Sequence, residues 1–252
     1  MESFFITELT FLLISFLVIW LVSYLGQTIA LRAFHASTYK IVYLLFTSFG
    51  VIFHELSHAL MAMLFRHNIK EIVFFKPDPY SSSLGYVSHS YNLNSIYQSA
   101  GNFWIGFAPL FMAPLYVLAM AFLFLPVPGE FIKTISGLNL FNSENVANDG
   151  IKTSIQYLVD SYTKHSFSTV LWFYMACSIS LSCGPSPADI KASLVGVLPN
   201  VIFLLILCLF FKIESSNFMI GSYILLTGLC LITALSLSGL HLLIKTFKYI
   251  LK

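Results

Sequence analysis

The sequence predicts an all-α polytopic membrane protein, with about six transmembrane helices and a small membrane-associated β-hairpin after the second. Of the 252 residues, 58% are hydrophobic and only 10% are charged. An ordinary soluble domain is about a quarter charged, so this chain has too few charges to cover a water-facing surface. The apolar runs recur from end to end without a charged or flexible linker. We therefore expect one membrane domain over residues 1–252.

The six candidate spans are apolar runs that fill, or nearly fill, the length of about 20 residues needed to cross a bilayer. They comprise residues 9–30, 41–65, 103–125, 166–182, 188–211 and 218–243. No basic segment precedes the first span, and no small-residue cleavage site follows it. We therefore expect it to be retained as an anchor. A Gly-Pro-Ser-Pro sequence at 184–187 predicts a break after the fourth span, either a surface turn or a kink at membrane depth.

Two connections between spans are long enough to have structure of their own. In the first, residues 70–75 and 84–89 are rich in β-branched and aromatic residues and flank a Pro/Asp/Ser cluster. This pattern predicts a hairpin from Lys70 to Tyr91. The second connection, residues 126–165, mixes charges with Asn, Gly and Ser. It predicts an exposed loop with a short helix at 151–162, which leaves a core of about residues 41–211.

The charge pattern bears on partners and orientation. A net charge of +2 with scattered basic residues does not suggest a nucleic-acid partner, so the lipid bilayer is the expected surrounding. Lys245, Lys248 and Lys252 follow the last span and mark a cytoplasmic side, although Arg32 and Lys40 fall on the opposite side. We expect a multi-pass protein of the plasma (inner) membrane of a prokaryote, with both termini cytoplasmic. The sequence does not indicate an oligomeric state.

The second span contains the motif His54-Glu55-Leu56-Ser57-His58. On a helix, the spacing of four puts both imidazoles on one face, one turn apart, where they can share a metal ion. The glutamate lies about 100° around the helix and can reach a metal-bound water without being a ligand. This arrangement is typical of a general base acting on water at a zinc ion.

The location of the motif also favours a function. A carboxylate in the middle of a membrane helix costs on the order of 2.5–3.5 kcal/mol, and two imidazoles add to that cost. Residues this costly to insert are expected to have a purpose. The structural alternative is a buried polar cluster that only ties helices together.

A catalytic zinc usually has three protein ligands, so a third must come from elsewhere in the chain. The candidates are Asp189, Glu214, His89, His165 and His241. Asp189 stands out because it follows the predicted break, which could bring a carboxylate to membrane depth. Ser186 three residues earlier, with Pro187 at the first helical position, also indicates a capping box, and both roles can hold. Glu214 lies in a composition that suits a surface turn.

With this motif and a candidate aspartate ligand, the sequence resembles the site-2 protease family of intramembrane zinc metalloproteases. The motif lies in the second span, a hairpin follows, and Pro187-Ala188-Asp189 keeps the Pro-x-Asp of the family's Pro-Leu-Asp-Gly-like motif. Residues 101–109, Gly-Asn-Phe-Trp-Ile-Gly-Phe-Ala-Pro, resemble the small-residue start of the family's next core helix. The resemblance covers about residues 46–192.

The resemblance implies a zinc metalloendopeptidase. Zinc would be held by His54, His58 and Asp189, with Glu55 as general base and acid, and the substrate would be a transmembrane segment of a membrane protein. Asn102 is a candidate donor to the substrate backbone or the oxyanion; its alternative role is hydrogen bonding between helices.

The chain also departs from the family pattern. Ile190 and Lys191 replace the glycine after the aspartate, Leu181 stands where the family has an asparagine, and no PDZ-type domain is inserted. These differences indicate a divergent, minimal member. They affect the residues that would clamp a substrate more than the zinc ligands.

The hairpin is expected to receive the substrate as an added strand. A transmembrane helix must unwind before its backbone carbonyl can be attacked, and its freed backbone groups cost several kcal/mol each if they stay unpaired in lipid. An edge strand would pair with them. His89 on this hairpin is either functional or an ordinary strand residue.

Two rival functions use some of the same residues. A non-proteolytic membrane protein could hold or transport a metal ion, although a transporter would be expected to show paired polar residues on several spans or an inverted repeat. A membrane-anchored protease with its site at the cytosolic surface would need a third-ligand glutamate. Glu214 is the candidate there.

Overall fold

The computed structural model describes residues 40–76, 84–136 and 144–210, together with seven helical positions between residues 17 and 28. Over these ranges the chain forms seven helices and one two-stranded antiparallel sheet, which confirms the prediction of a mostly helical fold with a small hairpin. The elements are α1 (Lys40–Leu64), β1 (Asn68–Val73), β2 (Tyr86–Ser90), α2 (Ile96–Gly106), α3 (Ala108–Phe124), α4 (Pro128–Ser136), α5 (Glu144–Lys164), α6 (Ser166–Ser182) and α7 (Pro187–Phe210).

Three of the predicted apolar runs coincide with single helices. The second run corresponds to α1, the fourth to α6 and the fifth to α7, each within one residue at its ends. The break predicted at 184–187 separates α6 from α7. The first run is described only at the scattered positions between 17 and 28, and the sixth lies outside the described residues.

The prediction of one continuous helix at 103–125 is wrong. The helix begins earlier, at Ile96, and is interrupted at Phe107, so that α2 and α3 meet at an angle of 59°. Pro109 explains the interruption, because proline lacks the N–H that would bond the carbonyl of Ile105 and its ring clashes with that carbonyl. Ser95 begins α2 as its N-cap, and its hydroxyl accepts the Gln98 N–H.

Within the described residues, no single helix is long and apolar enough to cross a membrane. Two bent helix pairs meet the same criteria of length and composition. They are α2 with α3, and α6 with the part of α7 up to Phe203, which are bent by 59° and 65° respectively.

The prediction of an exposed loop at 126–165 is also wrong, because this region contains all of α4 and α5. Phe131 and Ile135, one turn apart on α4, are only 3% and 4% exposed and belong to the main hydrophobic core. The ring of Phe131 meets Trp172 of α6 edge to face, with centroids 5.0 Å apart. The short helix predicted at 151–162 begins at Glu144 instead and ends at Lys164.

The hairpin predicted after the second run is confirmed. β1 and β2 pair in antiparallel register, with Ile69 opposite His89 and Val73 opposite Tyr86, and an irregularity lies between Ile69 and Glu71. Residues 77–83 of its turn lie outside the described residues. β1 starts directly after α1, so the sheet lies beside the helix that carries the motif.

Two helix contacts position the residues of the motif region. α1 packs on α6, where the Gly50 N–H donates to the Ser178 hydroxyl over 2.8 Å. α2 packs closely on α7 at Gly106, where an added Cβ would lie 2.6 Å from the carbonyl oxygen of Asp189. Only glycine allows this approach, so the start of α7 is fixed against the end of α2.

Candidate metal centre

His54, Glu55 and His58 lie in the middle of α1, whose regular helix gives the predicted spacing. Glu55 and His58 are 7% and 6% exposed, and His54 is partly buried. The two imidazole rings lie edge to face, with centroids 4.7 Å apart. The helix therefore brings both rings to one face, as the spacing predicts.

Asp189 lies in the first turn of α7 and faces the same two histidines. The Ser186 N–H donates to Asp189 Oδ2 over 2.7 Å, and the Asp189 N–H donates to the Ser186 hydroxyl over 3.2 Å. This reciprocal pair is the predicted capping box. It uses only part of the acceptor capacity of the carboxylate, so the cap and a ligand role coexist.

The three side chains converge on one point. His54 Nε2 and His58 Nε2 are 3.0 Å apart. His54 Nε2 lies 3.6 Å from Asp189 Oδ2, and His58 Nε2 lies 3.6 Å from Asp189 Oδ1. The three residues are thus a group that could hold a metal ion.

The other nitrogen of each imidazole is held by a backbone carbonyl. His54 Nδ1 lies 2.7 Å from the carbonyl oxygen of Ser182, and His58 Nδ1 lies 2.7 Å from that of Ile105. A carbonyl only accepts, so each Nδ1 donates its proton, and in a neutral imidazole the lone pair is then on Nε2. Hydrogen bonds of this kind typically orient metal-ligating histidines.

This proton assignment makes a cation the natural occupant of the group. Two Nε2 lone pairs and a carboxylate, all within 3.6 Å of one another, would repel each other with nothing between them. Ligand atoms about 2.0–2.1 Å from a tetrahedral zinc lie about 3.3 Å apart, close to the separations here. The donor set of two nitrogens and one oxygen also suits zinc, and a fourth position remains for water or substrate.

Both carbonyls that hold the histidines lie at helix breaks. Pro109 has no N–H to give to Ile105, so that carbonyl lacks its usual helical donor and accepts from His58. α6 ends at Ser182, so its last carbonyls lack helical donors, and that of Ser182 accepts from His54. Neither carbonyl partner was predicted from the sequence. Pro109, four residues after Ile105, was the signal that could have revealed the first.

A cavity of about 650 Å³ lies beside the three-residue group. Its lining includes the three candidate ligands, Glu55, Asn102, the strand residues Val87 and His89, and Gly85 just before the strand. Gly85 approaches Glu55 so closely that an added Cβ would lie 2.7 Å from the Glu55 Cγ. Glu55 thus lies in the cavity between the histidines and the hairpin, near the candidate ligands but outside the group that they form.

Asn102 lines this cavity from α2 and is 4% exposed. Its amide nitrogen lies 3.2 Å from the carbonyl oxygen of Ser99 and 3.5 Å from that of Gln98, both in the same helix. The amide donor is therefore directed towards its own helix rather than across to another. Its role as a donor to the substrate backbone or the oxyanion stays a prediction.

The other candidates for third ligand lie elsewhere. His165 precedes α6 and is exposed, about 25 Å along the helix from Ser182 at 1.5 Å per residue. His89 lines the cavity but is not part of the three-residue group. Glu214 and His241 lie outside the described residues.

Comparisons of the chain with protein-family models, with curated proteins and with solved structures find no match.

Proposed function

We propose that this chain is a zinc-dependent intramembrane endopeptidase, which hydrolyses a peptide bond in or near a transmembrane segment of a membrane protein. The observation that carries the proposal is the convergence of His54, His58 and Asp189 beside a buried Glu55, in a cavity with a strand along one side. Metal ligands, a proton acceptor and an extended binding edge are the parts that metal-assisted peptide hydrolysis requires.

A bilayer as the surrounding medium is supported by the outer faces of the helices. Large apolar side chains are more than half exposed on α1, α3, α6 and α7, whereas Glu55 and His58 of α1 are buried and His54 is partly buried. Such side chains include Met63, Leu64, Leu115, Phe122, Leu123, Phe167, Leu194 and Leu198. Apolar surface of this extent is typical of contact with lipid or a partner. Six spans with both ends cytoplasmic remain part of the proposal.

In the proposed reaction, zinc would polarise the scissile carbonyl and lower the pKa of a water to about 7. Glu55 accepts the proton of the attacking water and passes it to the nitrogen of the leaving amine. The carbonyls of Ser182 and Ile105 hold the two imidazoles with Nε2 towards Asp189. Asp189 would supply the third ligand atom and neutralise part of the metal charge.

The substrate chain is proposed to lie along the free edge of β2. The cavity lining includes Leu84, Gly85, Tyr86, Val87 and His89 from the second strand and its approach, and none of β1. In a two-stranded sheet each strand has one unpaired edge, which can pair with an extended chain. An unwound transmembrane segment would thereby regain hydrogen bonds for its backbone next to Glu55.

The rival function is a non-proteolytic membrane protein that holds or transports a metal ion with the same three residues. Geometry around the ligands fits both functions, whereas Glu55 and the strand edge have a role only in hydrolysis. Zinc uptake by sealed vesicles that contain the protein, without cleavage of any reporter, would favour the rival.

The test is a cleavage assay in reconstituted vesicles, with a panel of fusion proteins that each carry one transmembrane segment. The wild-type protein should cut at least one of them, with the cut placed in or near that segment by mass spectrometry. A zinc chelator should stop the cleavage and added zinc should restore it. Cleavage that a chelator does not affect, or cuts confined to soluble regions of the fusions, would contradict the proposal.

A further inference from the structure

His67 and His89 form a second imidazole pair, which the proposed hydrolysis does not use. Their Nδ1 atoms are 2.9 Å apart, and His67 Nε2 lies 2.8 Å from the carbonyl oxygen of Gln98 in α2. His67 is 6% exposed, and the ring of Tyr91 stacks on it with centroids 5.1 Å apart. Through these hydrogen bonds the pair connects the segment after α1 to the strand β2 and to the start of α2.

These contacts determine which nitrogen of each ring carries the proton. The Gln98 carbonyl can only accept, so His67 Nε2 is the donor. A neutral His67 then has its lone pair on Nδ1, and this lone pair requires the Nδ1 of His89 to donate. A neutral His89 is therefore left with an unprotonated Nε2. No described residue hydrogen-bonds to that nitrogen, and it is not among the fully buried atoms without a partner.

The charge state of His89 agrees with this assignment. Burial, with smaller contributions from the neighbouring imidazoles of His67 and His58, lowers the pKa of His89 to about 4. The ring is therefore neutral at pH 7, with one donor and one acceptor nitrogen. Its donor is engaged by His67, so only the acceptor is available.

His89, which carries this acceptor nitrogen, lies on the strand that lines the cavity. Val87 and His89 both line it, as residues two apart on one face of β2 should. At the other end of this stretch, Gly85 packs against Glu55. Four residues of strand cover about 13 Å, so His89 faces a bound chain several residues away from the bond that is cleaved.

We propose that His89 is a specificity-determining residue, which accepts a hydrogen bond at Nε2 from a hydroxyl or amide side chain of the substrate strand, and that His67 is its positioning residue. The proposal rests on the proposed protease function, because the bound strand is the protease substrate. Backbone pairing along β2 would accept any extended sequence. An acceptor on the cavity side instead distinguishes threonine from valine, which has nearly the same shape.

The first test needs no cleavage. The full chain, labelled with ¹⁵N-histidine in detergent micelles at pH 7, is studied by long-range ¹H–¹⁵N correlation, and the signals are assigned with His67→Asn and His89→Asn. The expected spectrum shows the proton on Nδ1 of His89 and on Nε2 of His67. A proton on Nε2 of His89 would overturn the proposal, whatever the protein cleaves.

The second test uses pairs of peptide substrates that differ only by threonine or valine at one position, moved along the sequence on each side of the cut. At one position the wild-type kcat/KM should be about two- to tenfold higher for threonine, mainly through KM, as one neutral hydrogen bond allows. In His89→Asn the ratio should fall to about one, because the asparagine amide can still donate to His67 but the Nε2 acceptor is gone. A ratio that persists in His89→Asn would overturn the proposal.

His67→Phe tests the positioning role. Without its acceptor, His89 should show both tautomers in the spectrum, and the preference for threonine should weaken while zinc content stays unchanged. An unaltered His89 tautomer in this variant would contradict the role of His67. If the wild type binds zinc and shows the predicted tautomers but cleaves no peptide, both the proposed protease function and the substrate role of His89 are wrong. If His89 carries its proton on Nε2, only the proposal for His89 is wrong.

Discussion

His58 donates its Nδ1–H to the backbone carbonyl of Ile105 over 2.7 Å. That carbonyl is available because Pro109, four residues later, has no N–H to bond it. A helix break in one part of the chain thus fixes the tautomer of a candidate metal ligand in another. The end of α6 does the same for His54 through Ser182.

Replacing this proline should therefore weaken metal binding. Pro109→Ala supplies an N–H that competes for the Ile105 carbonyl, so His58 loses its orienting partner. We expect zinc affinity to fall by about 10- to 100-fold, the usual effect of losing such a partner, measured by competition with a fluorescent chelator. Pro114→Ala is the matched control within α3, because the carbonyl that it affects belongs to Leu110, away from the candidate ligands. Equal losses in both variants would contradict the explanation.

The ligand assignment predicts the zinc content of single variants. The purified protein should carry about one zinc per chain, and His54→Ala or His58→Ala should remove it, because two remaining ligands hold the ion poorly. Elemental analysis of the purified proteins is the measurement. Undiminished zinc in either variant would refute the assignment.

Asp189 has two roles that substitution can separate. Asp189→Asn keeps an oxygen that can accept the Ser186 N–H, so the start of α7 should remain capped, yet an amide is a poor zinc ligand. Zinc affinity should fall strongly in Asp189→Asn and Asp189→Ala, while only the alanine variant should also lower the free energy of unfolding of the zinc-free protein, by about 0.5–1.5 kcal/mol, because the Ser186 N–H loses its acceptor. Glu214→Ala should leave zinc in place; if it removed the zinc instead, the surface-protease rival would be favoured.

The strand edge can be tested by removing one N–H. Val87→Pro deletes a backbone donor of β2 and should abolish cleavage while leaving zinc content unchanged. Val87→Ala shortens the same side chain but keeps the N–H, so it should cleave far better than the proline variant. Equal cleavage by the two variants would show that the backbone of this strand does not hold the substrate.

The lowered pKa of His89 predicts an acid-sensitive fold. Its pKa is about 4 in the folded protein, against 6.5 for an ordinary histidine, so between these values the unfolded chain binds the proton better. Stability should therefore fall as the pH drops from 6.5 towards 4. The Tm of His89→Asn in detergent should fall less than that of the wild type between pH 7 and pH 5. An equal fall in Tm for the two proteins would show that protonation of His89 does not change the stability of the fold between pH 7 and pH 5.

Much of the candidate site could be predicted from the sequence, because it depends on local spacing. The four-residue separation of His54 and His58 places them on one helix face, and the residues around Asp189 contain both a break and a capping box. The hairpin was likewise evident from two β-rich runs around a turn. Each of these signals lies within about twenty neighbouring residues.

The remainder depends on contacts between distant segments. Pro109 signals a break in the apolar run at 103–125, but the sequence does not show that the carbonyl left without a helical donor meets His58. The burial of Phe131 comes from Trp172, which lies some forty residues later. The pairing of His67 with His89 requires the register of the hairpin, which composition does not specify.

Glu55→Gln tests directly whether this chain is a zinc-dependent peptidase, because the substitution alters the proposed proton acceptor without altering a proposed ligand. The amide keeps the shape of the side chain but cannot accept the proton of water. The variant, purified and reconstituted beside the wild type, is assayed for zinc content and for cleavage of the same transmembrane reporter. We expect full zinc content and a loss of cleavage of at least 100-fold, within the usual range for a general base. Cleavage at the wild-type rate would contradict the role of Glu55 as general base.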